Sequence, residues 1–176
     1  MRHQLSRIAC SEMRANVERT QQHLAYLFTV EDYAQVISEA QRCRAVLQLC
    51  AEFAESPADQ EINACAPQII LIQTRAEVAH ALATRGPVEA LYYVNRGLAD
   101  MLDHFTHHAS VQAYDRAREV RALERVRRRL LDQVFPGPRA ELRTALAHAV
   151  REERYEDAAR LRDRLRRPNS AGGSSN

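Results

Sequence analysis

The 176-residue sequence has no tryptophan and no lysine, and only 5 glycines, 4 cysteines and 6% aromatic residues. Each scarcity closes a class of function. Gly172 and Gly173 sit in the last residues, so too few glycines remain for a Gly-rich loop that cradles phosphate. No C-x-x-C occurs, and the close ligand pairs of a structural zinc site are missing. Cys43 and Cys50 lie two helical turns apart, about 10 Å, beyond disulfide reach, and read as small core residues. There is no H-E-x-x-H, and no serine or cysteine has the histidine context of a nucleophile. No apolar run approaches the roughly eighteen residues that span a bilayer. The N-terminal MRHQLSRIACSEMR lacks a signal-peptide core. A cytoplasmic, non-catalytic protein without cofactor or metal is expected. The exclusive use of arginine, with abundant alanine, looks like the imprint of a GC-rich genome rather than a mechanism.

What is present is helix after helix. Charged residues make up 27% and apolar ones 45%, a globular balance for one domain plus an appendage. Leu5, Ile8, Met13, Val17, Leu24 and Leu27 form a loose stripe ending near Phe28. Thr29 then offers a helix cap, with Asp32 three residues on. Tyr33, Ile37, Ala40, Cys43, Leu47, Cys50 and Ala54 repeat at helical spacing until Ser56-Pro57. Ile62, Cys65, Ile69, Ile72, Ala76, Ala79 and Leu82 continue the period, with Pro67 imposing a break or kink. Gly86-Pro87 is the clearest stop. Leu91, Val94, Leu98, Met101, Leu102 and Phe105 mark another helix. One long basic helix is expected from Val111 to Val134, with Val120, Leu123, Val126 and Leu130 inside. No stretch alternates with period two, so the fold class is all-α.

Charge is unevenly spread. Residues 1–109 carry 9 arginines against 13 acids, and residues 110–176 carry 16 against 10. Most of these arginines alternate with acids, the pattern of a solvated face laced with ion pairs. Arg125, Arg127, Arg128 and Arg129 form the one local cluster and are the candidate nucleic-acid contacts, though no aromatic platform accompanies them. Asp103, His104, His107 and His108 share helical spacing, but a helix end also favours histidine through its dipole. Ala76–Leu98 resembles one degenerate tetratricopeptide repeat, with Gly86 at the turn, Ala90 on the second helix and Gly97 at a close-packed position. Glu31-Asp32-Tyr33 echoes the turn entry of such repeats at the wrong spacing, and three repeats are normally needed for a stable array. A plain helical bundle fits equally well.

The densest pattern comes last, in ELRTALAHAVREERYEDAARLRDRLR from Glu141 to Arg166. Leu142, Leu146, Ala149 and Val150 share a helical face; Tyr155, Ala158, Ala159, Arg162 and Leu165 share another, with Leu161 alongside. Between them Arg151-Glu152-Glu153-Arg154 interrupts the stripe. The reading is a helical hairpin whose two alanines let the backbones approach and whose large anchor is Tyr155. Leu142, Leu146, Ala149, Glu153, Tyr155, Glu156, Ala158, Ala159, Leu161-Arg162-Asp163 and Leu165 resemble the UVR motif, the hairpin shared by the excision-repair proteins UvrB and UvrC and by some Clp adaptors. Those adaptors carry paired cysteines, which this chain lacks.

The resemblance implies docking. About thirty residues cannot bury enough surface to stand alone and need a second helical surface. The expected organisation is an N-terminal helical bundle over 1–134, a Pro-Gly linker at 135–138, a UVR-type hairpin over 139–167 and a disordered tail at 168–176. Leu142, Leu146, Tyr155, Ala158, Ala159, Leu161 and Leu165 would supply the contact surface, with Glu156, Arg162 and Asp163 orienting it through ion pairs. The implied partner is a UvrB-type or UvrC-type protein, then a Clp-type chaperone, then a second copy.

Overall fold

The computed structural model describes residues 4–55, 65–108 and 111–166, and over these the chain forms eight α-helices and no strand. The all-α reading holds. Contacts divide the chain into two compact units, Met1–Leu130 and Leu131–Asn176.

In the first unit, α1 (Arg7–Thr29) starts where the Ser6 hydroxyl accepts the Ala9 N–H at 3.3 Å. It turns Cys10, Val17, Leu24 and Leu27 inward. The next helix, α2 (Tyr33–Phe53), answers with Val36, Ala40, Cys43, Leu47 and Cys50 at steps of three and four. The open end of this hairpin is tied by a short parallel bridge, in which Leu5 N–H donates to Phe53 O at 2.7 Å and Glu55 N–H to Leu5 O at 3.3 Å. None of the four cysteines is in a disulfide, and burial pushes the thiol of Cys43 above the ordinary cysteine range.

The third helix, α3 (Ala66–Thr84), is apolar on nearly every side, the mark of a helix with neighbours all round. Its Ala66, Ile69 and Ala76 close the core of α1 and α2. Its Ile70, Val78 and Ala81 join a second core. That core is completed by α4 (Pro87–His108) with Ala90, Val94, Leu98 and Met101, and by α6 (Arg118–Val134) with Val120, Leu123 and Leu130. A short α5 (Val111–Arg116) lies between, and Tyr114 from it meets Phe105 edge-on at 6.0 Å.

Polar groups inside α3 are matched across the helices. Glu77, 5% exposed, pairs with Arg96 of α4 at 2.5 Å and accepts the Gln73 side-chain N–H at 2.9 Å. Arg44 of α2 reaches Asp100 at 2.6 Å and Gln73 at 3.4 Å. Burial opposes the Arg96 cation, but the Glu77 and Asp100 carboxylates outweigh it and hold its pKa above the usual guanidinium value.

Three details depart from the sequence expectation. Thr29 is no cap: it ends α1 and donates its hydroxyl to Tyr26 O at 2.6 Å, while the Asp32 carboxylate caps α2 through Gln35 N–H at 3.1 Å. At Pro67 the chain starts a helix: the residue sits in the first turn of α3, where its missing N–H costs nothing, and the piece expected before it, residues 56–64, lies outside the described range. The long basic helix is broken at Ala117, whose N–H turns back to Tyr114 O at 3.1 Å, so α5 can keep Tyr114 on Phe105 while α6 buries its own stripe. Pro138 belongs to the hairpin rather than the linker, as the first residue of α7 (Pro138–Arg151). The tail at 168–176 also lies outside the described residues.

The turn between α3 and α4 uses Gly86 at φ 92°, with Arg85 and Gly86 N–H both donating to Ala81 O at 2.8 Å. Further along, Gly97 lets α4 approach α3 so closely that any Cβ there would strike the Thr74 side chain. Gly97→Ala should therefore lower stability by about 1–3 kcal/mol, the range of core overpacking. Thr74→Ala in the same chain should recover part of the loss, read as the shift in Tm of each single and double variant.

Candidate functional site: the C-terminal helical hairpin

The second unit is built on α7 and α8 (Tyr155–Arg166). Gly137, in extended backbone, precedes Pro138 and accepts Glu141 N–H at 3.1 Å, which starts α7 without a side-chain cap. Among the described residues, Ala149 and Ala158 are the buried residues of the two helices, 1% and 8% exposed. Leu142, Leu146, Ala159, Leu161 and Leu165 are half-buried along the seam. Two helices of 14 and 12 residues can cover one side of each other only, so these leucines stay partly open.

The bend is fixed by backbone hydrogen bonds. Arg154 N–H reaches Ala149 O at 2.8 Å and Glu153 N–H reaches Val150 O at 3.2 Å, the paired closure of a Schellman motif. The left-handed position such a motif requires falls on Glu153, at φ 58°, where glycine is usual. Charge then gathers round the bend: Glu152 pairs with Arg154 at 2.8 Å and His148 at 3.2 Å, and Arg154 with Asp157 at 3.0 Å. Arg162 and Asp163 pair with each other at 3.2 Å, while Glu156 is exposed and enters no ion pair among the described residues. On one side of the seam a furrow of about 450 Å³ has Ala145, Ala149 and Leu161 for its floor and Arg154, Arg160 and Arg164 on its rim. Tyr155 and Val150 lie outside that furrow, 68% and 52% exposed.

Residues 139–167 match the family model of UVR, the UvrB/uvrC motif. The segment is a UVR motif. No curated protein and no solved structure gives a match to the chain.

The bend of the UVR hairpin occurs a second time in the molecule. Between α1 and α2, Asp32 N–H reaches Leu27 O at 3.1 Å, Glu31 N–H reaches Phe28 O at 3.3 Å, and Glu31 stands at φ 61°. Each turn then delivers a tyrosine to the first position of its second helix, with Tyr33 N–H on Glu31 O at 2.9 Å and Tyr155 N–H on Glu153 O at 3.0 Å. Val36 corresponds to Ala158 and Leu27 to Ala149, all of them buried. Glu31-Asp32-Tyr33 thus closes the same kind of turn as Glu153-Arg154-Tyr155. The surroundings differ. Tyr33 packs edge-on against Phe28 at 5.5 Å, and Arg75 of α3 covers Phe28 at 4.9 Å. In the UVR hairpin, Val150 replaces the phenylalanine, and both it and Tyr155 are bare.

The arginine cluster is not a single patch. Leu123 and Leu130 hold α6 in its core, so successive arginines fan around the helix. Arg127 is half-buried and pairs with Glu124 at 2.8 Å, Arg128 and Arg129 are exposed, and Arg125 faces a groove beside α1 and α3. Among the histidines, His107 is held by Asp103 at 3.3 Å and His104 turns edge-on to Phe105 at 5.5 Å.

Exposure and burial within the hairpin predict opposite outcomes for neighbouring substitutions. Tyr155→Ala should change stability by less than about 0.5 kcal/mol, as for most surface sites. Ala158→Leu should cost about 1–3 kcal/mol by overfilling the seam. Glu153→Gly should stabilise by roughly 0.5–1 kcal/mol through relief of the left-handed backbone. Thermal melts with amide exchange read over residues 139–166 distinguish the three.

Proposed function

We propose that this chain is a non-catalytic docking protein whose UVR hairpin seats a helical partner. The supporting observation is the pair of matching turns. One has its aromatic side covered by a helix of its own unit; the other presents Val150 and Tyr155 uncovered. An apolar, half-open seam beside an exposed tyrosine has the composition of an interface centre, where aromatic anchors carry most of the binding energy. The remaining surface of α7 and α8 is set by local ion pairs, which favour register over affinity.

The partner class follows from the motif. A second UVR-type hairpin, on a UvrB-type or UvrC-type repair protein, offers the matching seam and comes first; a Clp-type chaperone and a second copy of this chain follow. No helix among the described residues is long and apolar enough to cross a membrane, and a cytoplasmic setting suits these partners. A nucleic-acid role for Arg125, Arg127, Arg128 and Arg129 is the competing reading, and salt separates the two, since phosphate-driven binding falls steeply with added salt.

Tyr155→Ala should weaken binding to a purified UvrB-type or UvrC-type protein by at least about tenfold, near 1.4 kcal/mol. Titration at low and high salt should give the wild-type chain nearly equal affinities. In a bacterial lysate, prey captured by the whole chain should vanish with a chain ending at Phe135. Unchanged binding by the Tyr155 variant would exclude the hairpin as the docking element.

A further inference from the structure

A groove of about 470 Å³ opens on the first unit where α1, α3 and α6 meet. Its floor is apolar: Ala25 from α1, Ile69, Leu71 and Ile72 from α3, and Ala122 from α6. Its polar lining is Gln21, Gln68, Glu119 and three arginines. Arg75, Arg118 and Arg125 stand round it, and the side-chain nitrogen of Gln21 is buried with no hydrogen-bond partner among the described residues. The one carboxylate, Glu119, is taken up by Arg118 at 2.8 Å. Arg125 enters no ion pair among the described residues, and Arg75 keeps its guanidinium over Phe28. The groove therefore joins an apolar bed to a surplus of positive charge.

We propose that this groove binds a small amphipathic anion, a carboxylate or comparable acid on an apolar body, with the acid at Arg125 and the body on Leu71, Ile72 and Ala122. Size favours a small molecule over a partner helix. From α3 the groove takes Gln68, Leu71, Ile72 and Arg75, about 10 Å of helix axis, too short a bed for a partner helix to lie along. The volume falls in the range of small-ligand pockets, about 300–1,000 Å³. Charge selects the sign, because two guanidinium groups, Arg75 and Arg125, remain once Arg118 has neutralised the one carboxylate.

The test uses the full chain and three probes with one tail: decanoate, decanol and decyltrimethylammonium, all below their micelle concentrations, followed by calorimetry and amide chemical shifts. Decanoate should bind at least tenfold more tightly than decanol, the cation should not bind, and the shifts should map to α1, α3 and α6. Arg125→Glu should weaken decanoate at least tenfold, whereas Arg42→Glu, the same charge change at an exposed site outside the groove, should leave it unchanged. Ala122→Phe, which fills the bed, should abolish binding with the fold intact by its Tm. The proposal is overturned if the cation binds as well as decanoate, if the two arginine variants behave alike, or if the shifts fall on α7 and α8 instead.

Discussion

The N-terminal unit depends on one helix, α3, that is buried on two sides. Because α3 feeds Ile69 and Ala76 into one core and Ile70, Val78 and Ala81 into another, it cannot place Gln73, Thr74 and Glu77 in water. Each must be answered from a neighbour. Arg96 answers Glu77 from α4, Arg44 answers Gln73 and Asp100 from α2, and Gly97 yields space to Thr74. A buried carboxylate that loses its cation is far more costly than an apolar pair in its place, so such a network selects one arrangement of helices more than it adds net stability. The positions of α2 and α4 against α3 are thereby coupled through one set of side chains.

The periodic parts of this fold were legible in the residues. Stripes at Cys43, Leu47 and Cys50, at Val94, Leu98 and Met101, and at Val120, Leu123 and Leu130 all became core. Boundaries were less so, because their signals were borrowed. Thr29 has the chemistry of a cap, yet a Schellman closure two residues on decided where α1 ended. Nothing in the composition around Ala117 marks a break; Tyr114 meeting Phe105 imposes it from outside the segment. Both left-handed turn positions carry glutamate, so the usual glycine flag was absent, and only aligning Glu31-Asp32-Tyr33 with Glu153-Arg154-Tyr155 would have paired the two hairpins. The groove among α1, α3 and α6 draws single residues from three distant segments, and no local pattern foretells it.

The two matching turns show how one local design serves two ends. In α1 and α2, longer helices and large residues at Val36, Leu47 and Leu24 let the hairpin join a core with α3. In the UVR hairpin, alanine at 149 and 158 draws the helices close but leaves little apolar area to bury. The first shares a core with α3; the second leaves its leucines half-buried along its seam. What distinguishes them is the bulk beside the turn, not the turn.

The absence of lysine reaches further than composition. Outside the histidine contacts, the ion pairs described above, from Arg44 with Asp100 and Arg96 with Glu77 to those at the bend of the UVR hairpin, have guanidinium as the cation. Guanidinium stays protonated across the whole range in which proteins are handled. These links can therefore be discharged from one side alone, by protonating the carboxylate. The molecule has an acid-labile wiring and an alkali-indifferent one at once, and amine-directed crosslinking or acylation has no side chain on which to act.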